Sequence, residues 1–206
     1  MRTIICFIFV FLIIGTLASS EKNEKLLEKI EEKFSRIATF SASFKEELTP
    51  ILGKTQYFEG TIDIARSGKL RMEISSPEKQ LIVYNGEIAW LYLPEEHYCM
   101  KYSSMQESNF SHIPEYLFDP FNNLRVDTIS ADTQFISITF IPEKDNDFFS
   151  QVDITISSTT LLPYSLTLKD KIGNVTIYSF THISVNAKKE INYTFTPPEG
   201  TEIIEQ

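Results

Sequence analysis

The sequence predicts a mainly β fold with few helices, and three observations carry that expectation. From Phe40 onward, apolar residues recur with a period of two over run after run of five to ten residues. Clusters of Gly, Pro, Asn and Asp separate the runs at short intervals. Among them Asn85-Gly86 is the strongest short hairpin signal, because a type I′ turn needs positive φ at both central residues. Eleven main runs and one short terminal run can be counted, and a single antiparallel sheet of that size must curl strongly or close toward a barrel.

Before the first strand, residues from Glu21 to Thr39 read as one helix. Leu26 or Leu27, Ile30, Phe34 and Ile37 recur on one face, while Glu and Lys residues cover the remainder. The period then changes to two, with Phe40, Ala42 and Phe44 on one side of a half-buried strand. Strand-like runs follow at Gln56–Ala65, Lys69–Ser75, Gln80–Tyr84, Glu87–Leu93 and Glu96–Tyr102. In the third run, Leu70, Met72 and Ile74 alternate with Arg71 and Glu73. Between Ser103 and Asn123 the alternation breaks. Ile113 to Phe121 suits a short helix with Pro114 in its first turn and a stop at Pro120. Strands resume at Leu124–Ile129, Gln134–Ile141, Phe149–Ser157, Leu161–Lys169 and Asn174–Val185, with a brief last one at Ile191–Phe195.

The first twenty residues stand apart from this pattern. Arg2 is followed by an apolar run from Ile4 to Ile14, then by Leu17-Ala18-Ser19-Ser20 and the charged Glu21. The run is too short to span a bilayer comfortably, so residues 1–20 are expected to be a cleaved secretory signal peptide. Residues 21–206 then form a single exported domain. Loss of the leader removes Cys6 and leaves Cys99 as the sole thiol, so no internal disulfide can form.

Composition excludes several function classes. The chain of 206 residues has 19 Lys+Arg against 28 Asp+Glu, a formal charge of -9, which argues against nucleic acid as the main partner. The sequence has no Gly-rich phosphate loop, Gly-x-Ser-x-Gly elbow or His-Glu-x-x-His helix. His97, His112 and His182 are isolated along the chain, and Cys99 has only His97 nearby. The expectation is a protein that is not an enzyme and carries no metal or cofactor.

The middle of the chain resembles a known family. Phe58-Glu59-Gly60-Thr61-Ile62-Asp63-Ile64-Ala65-Arg66-Ser67-Gly68-Lys69-Leu70-Arg71-Met72-Glu73-Ile74 is similar to the signature of LolA-type outer-membrane lipoprotein carriers. Pro77 and the stretch from Gln80 through Asn85-Gly86 to Trp90-Leu91-Tyr92 continue the likeness. Thr39 to Phe44 resembles the segment after the family's first helix, and Tyr193 to Gly200 its closing segment. The likeness spans nearly all of residues 21–206 in the same order.

That resemblance implies an incomplete, strongly curved antiparallel β-barrel of about eleven strands, with a helical lid over an apolar cavity. It implies a periplasmic carrier that shields the acyl chains of lipoproteins released from the inner membrane and delivers them to the outer membrane. Its implied partners are acylated lipoproteins, an inner-membrane lipoprotein-releasing ABC transporter and an outer-membrane acceptor, with the carrier itself a monomer. Arg66 takes the place of the family's arginine that latches the lid, and a fork of five donors suits several carbonyl oxygens across a gap. Ser67 stands where Pro is usual. Ile62, Ile64, Leu70, Met72 and Ile74 are expected to line the acyl-chain cavity, with Phe44, Phe58, Trp90 and Phe140 as further lining. Leu117 and Phe118 are expected on the underside of the lid. Two other readings compete: a sensor module of the same fold that binds lipids or mislocalised lipoproteins, as RseB-type regulators do, and a secreted enzyme acting on a hydrophobic ester.

Overall fold

Twelve strands form one sheet in the computed structural model, which describes residues 21–103, 112–143, 148–188 and 190–205. The expected signal peptide over residues 1–20 lies outside the described residues. The strands are β1 (Thr39–Thr49), β2 (Gln56–Ala65), β3 (Leu70–Ser76), β4 (Gln80–Tyr84), β5 (Ala89–Leu93) and β6 (Tyr98–Tyr102) in the first half. The second half holds β7 (Leu124–Ala131), β8 (Phe135–Pro142), β9 (Phe149–Ser157), β10 (Pro163–Asp170), β11 (Val175–Val185) and β12 (Glu202–Glu205).

Their order across the sheet is β12-β6-β5-β4-β3-β2-β1-β11-β10-β9-β8-β7. Each half is a meander of hairpins, and the two halves join where β1 pairs with β11. Phe40 stands opposite Val185 and Phe44 opposite Phe180 in that central pair. All pairs are antiparallel except β12, which runs parallel to β6. The edge strands β12 and β7 do not pair, so the sheet is curved but unclosed. The run count required a sheet that curls strongly, and the unclosed form is the incomplete barrel that the family resemblance implied.

One face of the sheet is wrapped around a common core. Phe40, Phe44, Ile62, Ile64, Leu70 and Met72 from the first half share it with Ile138, Phe140, Val152, Ile154, Leu166 and Phe180 from the second. Phe40 meets Phe180 edge to face, with ring centroids 5.3 Å apart. Gly60 permits the close approach of β2 and β3, because a Cβ there would lie 2.0 Å from the Glu73 carbonyl oxygen.

The helices supply the open side of the core. Helix α1 covers residues 21–35, and Ile30, Phe34 and the following Ile37 are buried in the same cluster. On its other face Lys25 pairs with Glu21 and Arg36 with Glu32, at the i,i+4 spacing of a solvated side. Helix α2 (His112–Phe118) puts Ile113, Tyr116, Leu117 and Phe118 into the cluster. Pro120 ends that helix and also opens a further turn, α3 (Pro120–Asn123), where its fixed φ and missing N–H suit a first helical position.

The expected strand over Ile191–Phe195 is corrected. That segment makes no ladder; β12 lies seven residues beyond it, at the edge of the sheet. Its alternation has another cause. Ile191, Tyr193 and Phe195 are half-buried and their neighbours exposed because one side of an extended segment rests on the outer face of the sheet. Phe195 packs on Trp90 and Tyr92 of β5, and Arg71 Nη1 donates to the Asn192 carbonyl at 3.4 Å.

Candidate functional site

The tight hairpin between β2 and β3 places Arg66 at the lip of the core. Its backbone N–H donates to the Ala38 carbonyl at 2.9 Å, which ties the turn to the junction of α1 and β1. Its side chain then bridges two helices. Nε donates to the Ile37 carbonyl at 2.8 Å, and Nη2 donates to the carbonyls of Phe34 and Phe118, the latter at 3.2 Å. The guanidinium also lies 5.2 Å from the centre of the Phe118 ring. Phe34 lies in the last turn of α1, Ile37 follows that helix, and Phe118 is the last residue of α2. Carbonyls at helix C-termini lack intrahelical donors and carry the negative end of the dipole, so one planar cation satisfies both ends together.

Asn186, just past β11, clamps the same junction from the other side. Its Oδ1 accepts from the backbone N–H groups of Ala38 and Thr39, and its Nδ2 donates to the Arg36 carbonyl at 2.9 Å. Nothing in the sequence pattern singled out Asn186. Its backbone has φ 54, a left-handed conformation that Asn tolerates better than most residues.

Beneath the helices, Ile62, Ile64, Leu70, Met72, Phe44 and Phe140 are each at most 2% exposed and packed together. Toward one end of the curved sheet the packing gives way to a cavity of about 360 Å³. Phe58 and Ile74 line it, with Leu48, Ile113, Phe149, Leu168 and Tyr178 among their neighbours. Of the residues expected to line a cavity, those two do so here, and the six named above form the packed cluster above it. Leu117 and Phe118 face that cluster from α2.

Trp90 is placed otherwise, and the expectation for it is corrected. Leu91 packs against the core, so alternation along β5 turns Trp90 to the outer face. There it stacks edge to face on Phe195 at 5.9 Å and lies under Lys101 Nζ at the same distance. Val83 and Cys99 are fully buried under this outer layer without joining the main cluster. Burial also pushes the Cys99 thiol up to about 11, so it remains a protonated side chain at neutral pH.

Two acidic side chains reach the cavity, and neither was expected. Glu46 continues the inward row of Phe40, Ala42 and Phe44, and its Oε1 accepts from the Tyr178 hydroxyl at 3.1 Å. Burial raises the Glu46 carboxyl above its ordinary value, with the Tyr178 bond opposing in smaller part. Tyr178 is held well above its own ordinary value by burial first and by the neighbouring Glu46 second. A signal for Glu46 existed: it falls in phase with the aromatic positions of β1. Asp170 has a structural partner set instead. Its Oδ1 accepts from the N–H groups of Ile172, Gly173 and Asn174, which shapes the β10–β11 turn.

Among the described residues no group of three or more His, Cys, Asp or Glu side chains gathers to hold a metal. No helix among them is long and apolar enough to cross a membrane. What the arrangement offers is an apolar interior under two helices whose ends share one arginine.

The chain is similar to proteins of known description. A family model described as outer membrane lipoprotein carrier protein LolA matches residues 35–196. The outer-membrane lipoprotein carrier protein of Vibrio campbellii is 25% identical over 190 residues, covering 92% of this chain and 88% of that protein. Its counterpart from Dechloromonas aromatica is 28% identical over 184 residues, covering 86% of each. The crystal structure of an uncharacterized conserved protein from Thermus thermophilus superposes with a TM-score of 0.54 at 12% identity. That superposition covers 90% of this chain and 99% of that one, and it is a likeness of fold.

Proposed function

The chain belongs to the LolA family of outer-membrane lipoprotein carrier proteins, and from that premise we propose that it shuttles acylated lipoproteins across the periplasm as a monomer. Export through a cleaved leader over residues 1–20 would bring residues 21–206 to that compartment. An inner-membrane ABC transporter would load the carrier, and an outer-membrane acceptor would receive the cargo. The observation that carries this reading is the single Arg66 side chain joining the ends of α1 and α2 over an apolar interior.

The energetics of the task explain why such a join is useful. Taking an acyl chain out of a bilayer costs about 0.8 kcal/mol per methylene, so several chains together reach tens of kcal/mol. The carrier must therefore offer an apolar enclosure that is closed when empty. A cavity of about 360 Å³ is near the lower end of the range of roughly 300–1,000 Å³ that encloses one small ligand. Several acyl chains need more room than that. Loading then requires α1 and α2 to move from the packed cluster, which breaks the Arg66 bonds; reforming them favours unloading. Ile62, Ile64, Leu70, Met72, Phe44 and Phe140 would meet the acyl chains only in the opened state, while Phe58 and Ile74 border the cavity in the closed one. No nucleophile or metal is required at any step.

The test has two arms. The protein is expressed in a periplasm and purified without detergent, and its co-purifying lipids and proteins are identified. Acylated lipoprotein supports the carrier; free phospholipid alone favours a lipid-sensing module, and turnover of an ester an enzyme. In the second arm Arg66→Leu is loaded with a lipoprotein and offered acceptor membranes. Retention of cargo is expected, and normal transfer overturns the latch.

A further inference from the structure

Eight large apolar side chains are exposed among the described residues, and four of them, Ile51, Leu52, Phe148 and Ile172, collect at one end of the sheet. Ile51 and Leu52 form the tip of the β1–β2 hairpin, and Ile172 the tip of the β10–β11 hairpin. Leu52 is 86% exposed, Ile172 68% and Ile51 63%. The two tips are fastened together. The Ile51 N–H donates to Asn174 Oδ1 at 2.9 Å, and the Ile51 side chain packs over Gly173, where an added Cβ would lie 3.2 Å from Ile51 Cδ1. The third neighbour is fixed as well, since the Lys171 N–H donates to the Phe148 carbonyl at 3.3 Å. The patch is thus a preorganised apolar protrusion.

Its position relates it to the cavity. Leu48 and Asn174, which border the tips in sequence, line the cavity, and Phe148 is both exposed and a lining residue. The protrusion is therefore the rim of the cavity mouth. Charge points the same way. In a chain of formal charge -9, the exposed charged residue of the β1–β2 tip is Lys54.

We propose that these two hairpin tips dock the cavity mouth directly onto the surface of an anionic lipid bilayer, with Ile51, Leu52 and Ile172 entering the headgroup boundary and Lys54 meeting acidic headgroups. A convex protrusion of a few aliphatic side chains enters a soft interface readily. The same few side chains are far short of the roughly 1,200 Å² that a stable interface with a second protein copy buries. So small an insertion gives reversible attachment, which a shuttling protein needs, since stable anchoring takes more than one strong signal. The inference goes beyond the carrier reading, because it concerns the membrane itself and not the cargo.

The experiment is flotation of the purified exported protein with vesicles of phosphatidylethanolamine and phosphatidylglycerol, and with vesicles of phosphatidylcholine. Wild type is expected to float with the anionic vesicles. The double variant Leu52→Ser/Ile172→Ser should lose about tenfold or more in partitioning, as removal of two partly inserted aliphatic side chains implies. Lys54→Glu should weaken binding to the anionic vesicles and leave phosphatidylcholine binding unchanged. Circular dichroism and uptake of a synthetic lipopeptide in solution verify that both variants are folded and keep the cavity. Wild type that stays at the bottom of the gradient, or an apolar variant that floats equally well, overturns the docking. Protein that floats but takes up no lipopeptide removes the carrier reading alone.

Discussion

The Tyr178 hydroxyl donates to Glu46 Oε1 at 3.1 Å on the inner side of the β1–β11 pair, where the neighbouring inward residues are Phe44 and Phe180. Burial in that setting penalises the ionised form of the carboxyl. Its ordinary value of 4.5 is raised by burial, so between that value and the raised one the folded protein holds a proton that the unfolded chain has released. The stability linked to this proton is full below the ordinary value and is lost as pH rises through the raised one. Glu46→Gln keeps the acceptor for Tyr178 and removes the titration. Its melting temperature should exceed that of wild type at pH 7, and the gap should close at pH 4. A gap that stays constant across that range would show that Glu46 does not titrate in this way.

Arg66 gives the second expectation. Its three carbonyl partners come from two helix ends, and leucine can satisfy none of them. Arg66→Leu should therefore cost about 2–4 kcal/mol in urea denaturation, the scale of charged hydrogen bonds lost with partly buried acceptors left behind. Arg66→Lys, with one compact head in place of the planar fork, should fall between the two. Hydrogen exchange adds the local readout: amides of 112–118 should exchange faster in the leucine variant while those of β8 to β10 hold their protection. Uniform acceleration over the whole sheet would mean that the arginine is an ordinary stability contact.

These residues also mark how far the sequence could be read. The strands were legible because side-chain alternation is local, and β1 to β11 lie close to the runs that period two picks out. The join at Arg66 was legible only through family likeness. Its partners are 29, 32 and 52 residues away along the chain, a distance that no periodicity spans. Trp90 shows a different limit. Along β5 both faces are apolar, Ala89 and Leu91 on one and Trp90 and Tyr92 on the other, so alternation separates the faces without saying which is inside. The answer depends on Phe195, more than a hundred residues later, which covers the outer face. Glu46 was missed for the opposite reason: the row of Phe40, Ala42 and Phe44 continues inward through a residue whose chemistry normally marks the outside.

Gly60 offers a test of the sheet itself. A Cβ at this position would sit 2.0 Å from the Glu73 carbonyl oxygen and 2.9 Å from its carbon, both backbone atoms that cannot rotate away. Gly60→Ala should cost about 3 kcal/mol, since β2 and β3 must separate where the register already shifts. Gly68 in the adjoining turn is the control. It has open space for a Cβ but φ +88, so Gly68→Ala should cost only about 1 kcal/mol, the left-handed backbone penalty. Equal losses from the two substitutions would contradict the close approach.

The outer layer makes a prediction that also bears on the cavity. Trp90 is the only tryptophan of the chain and rests against Phe195 at 5.9 Å. Phe195→Ala should shift its emission to the red and cost about 1–2 kcal/mol, the scale of a half-buried aromatic contact. Because Trp90 faces away from the core, filling the interior with a lipopeptide should leave its emission unchanged. A reporter moved to the cavity wall, Phe58→Trp in a Trp90→Phe background, should respond to the same lipopeptide. If Trp90 responded to loading and the Phe58 reporter did not, the acyl chains would have to enter on the outer face, beneath the closing segment, and the interior reading would be lost.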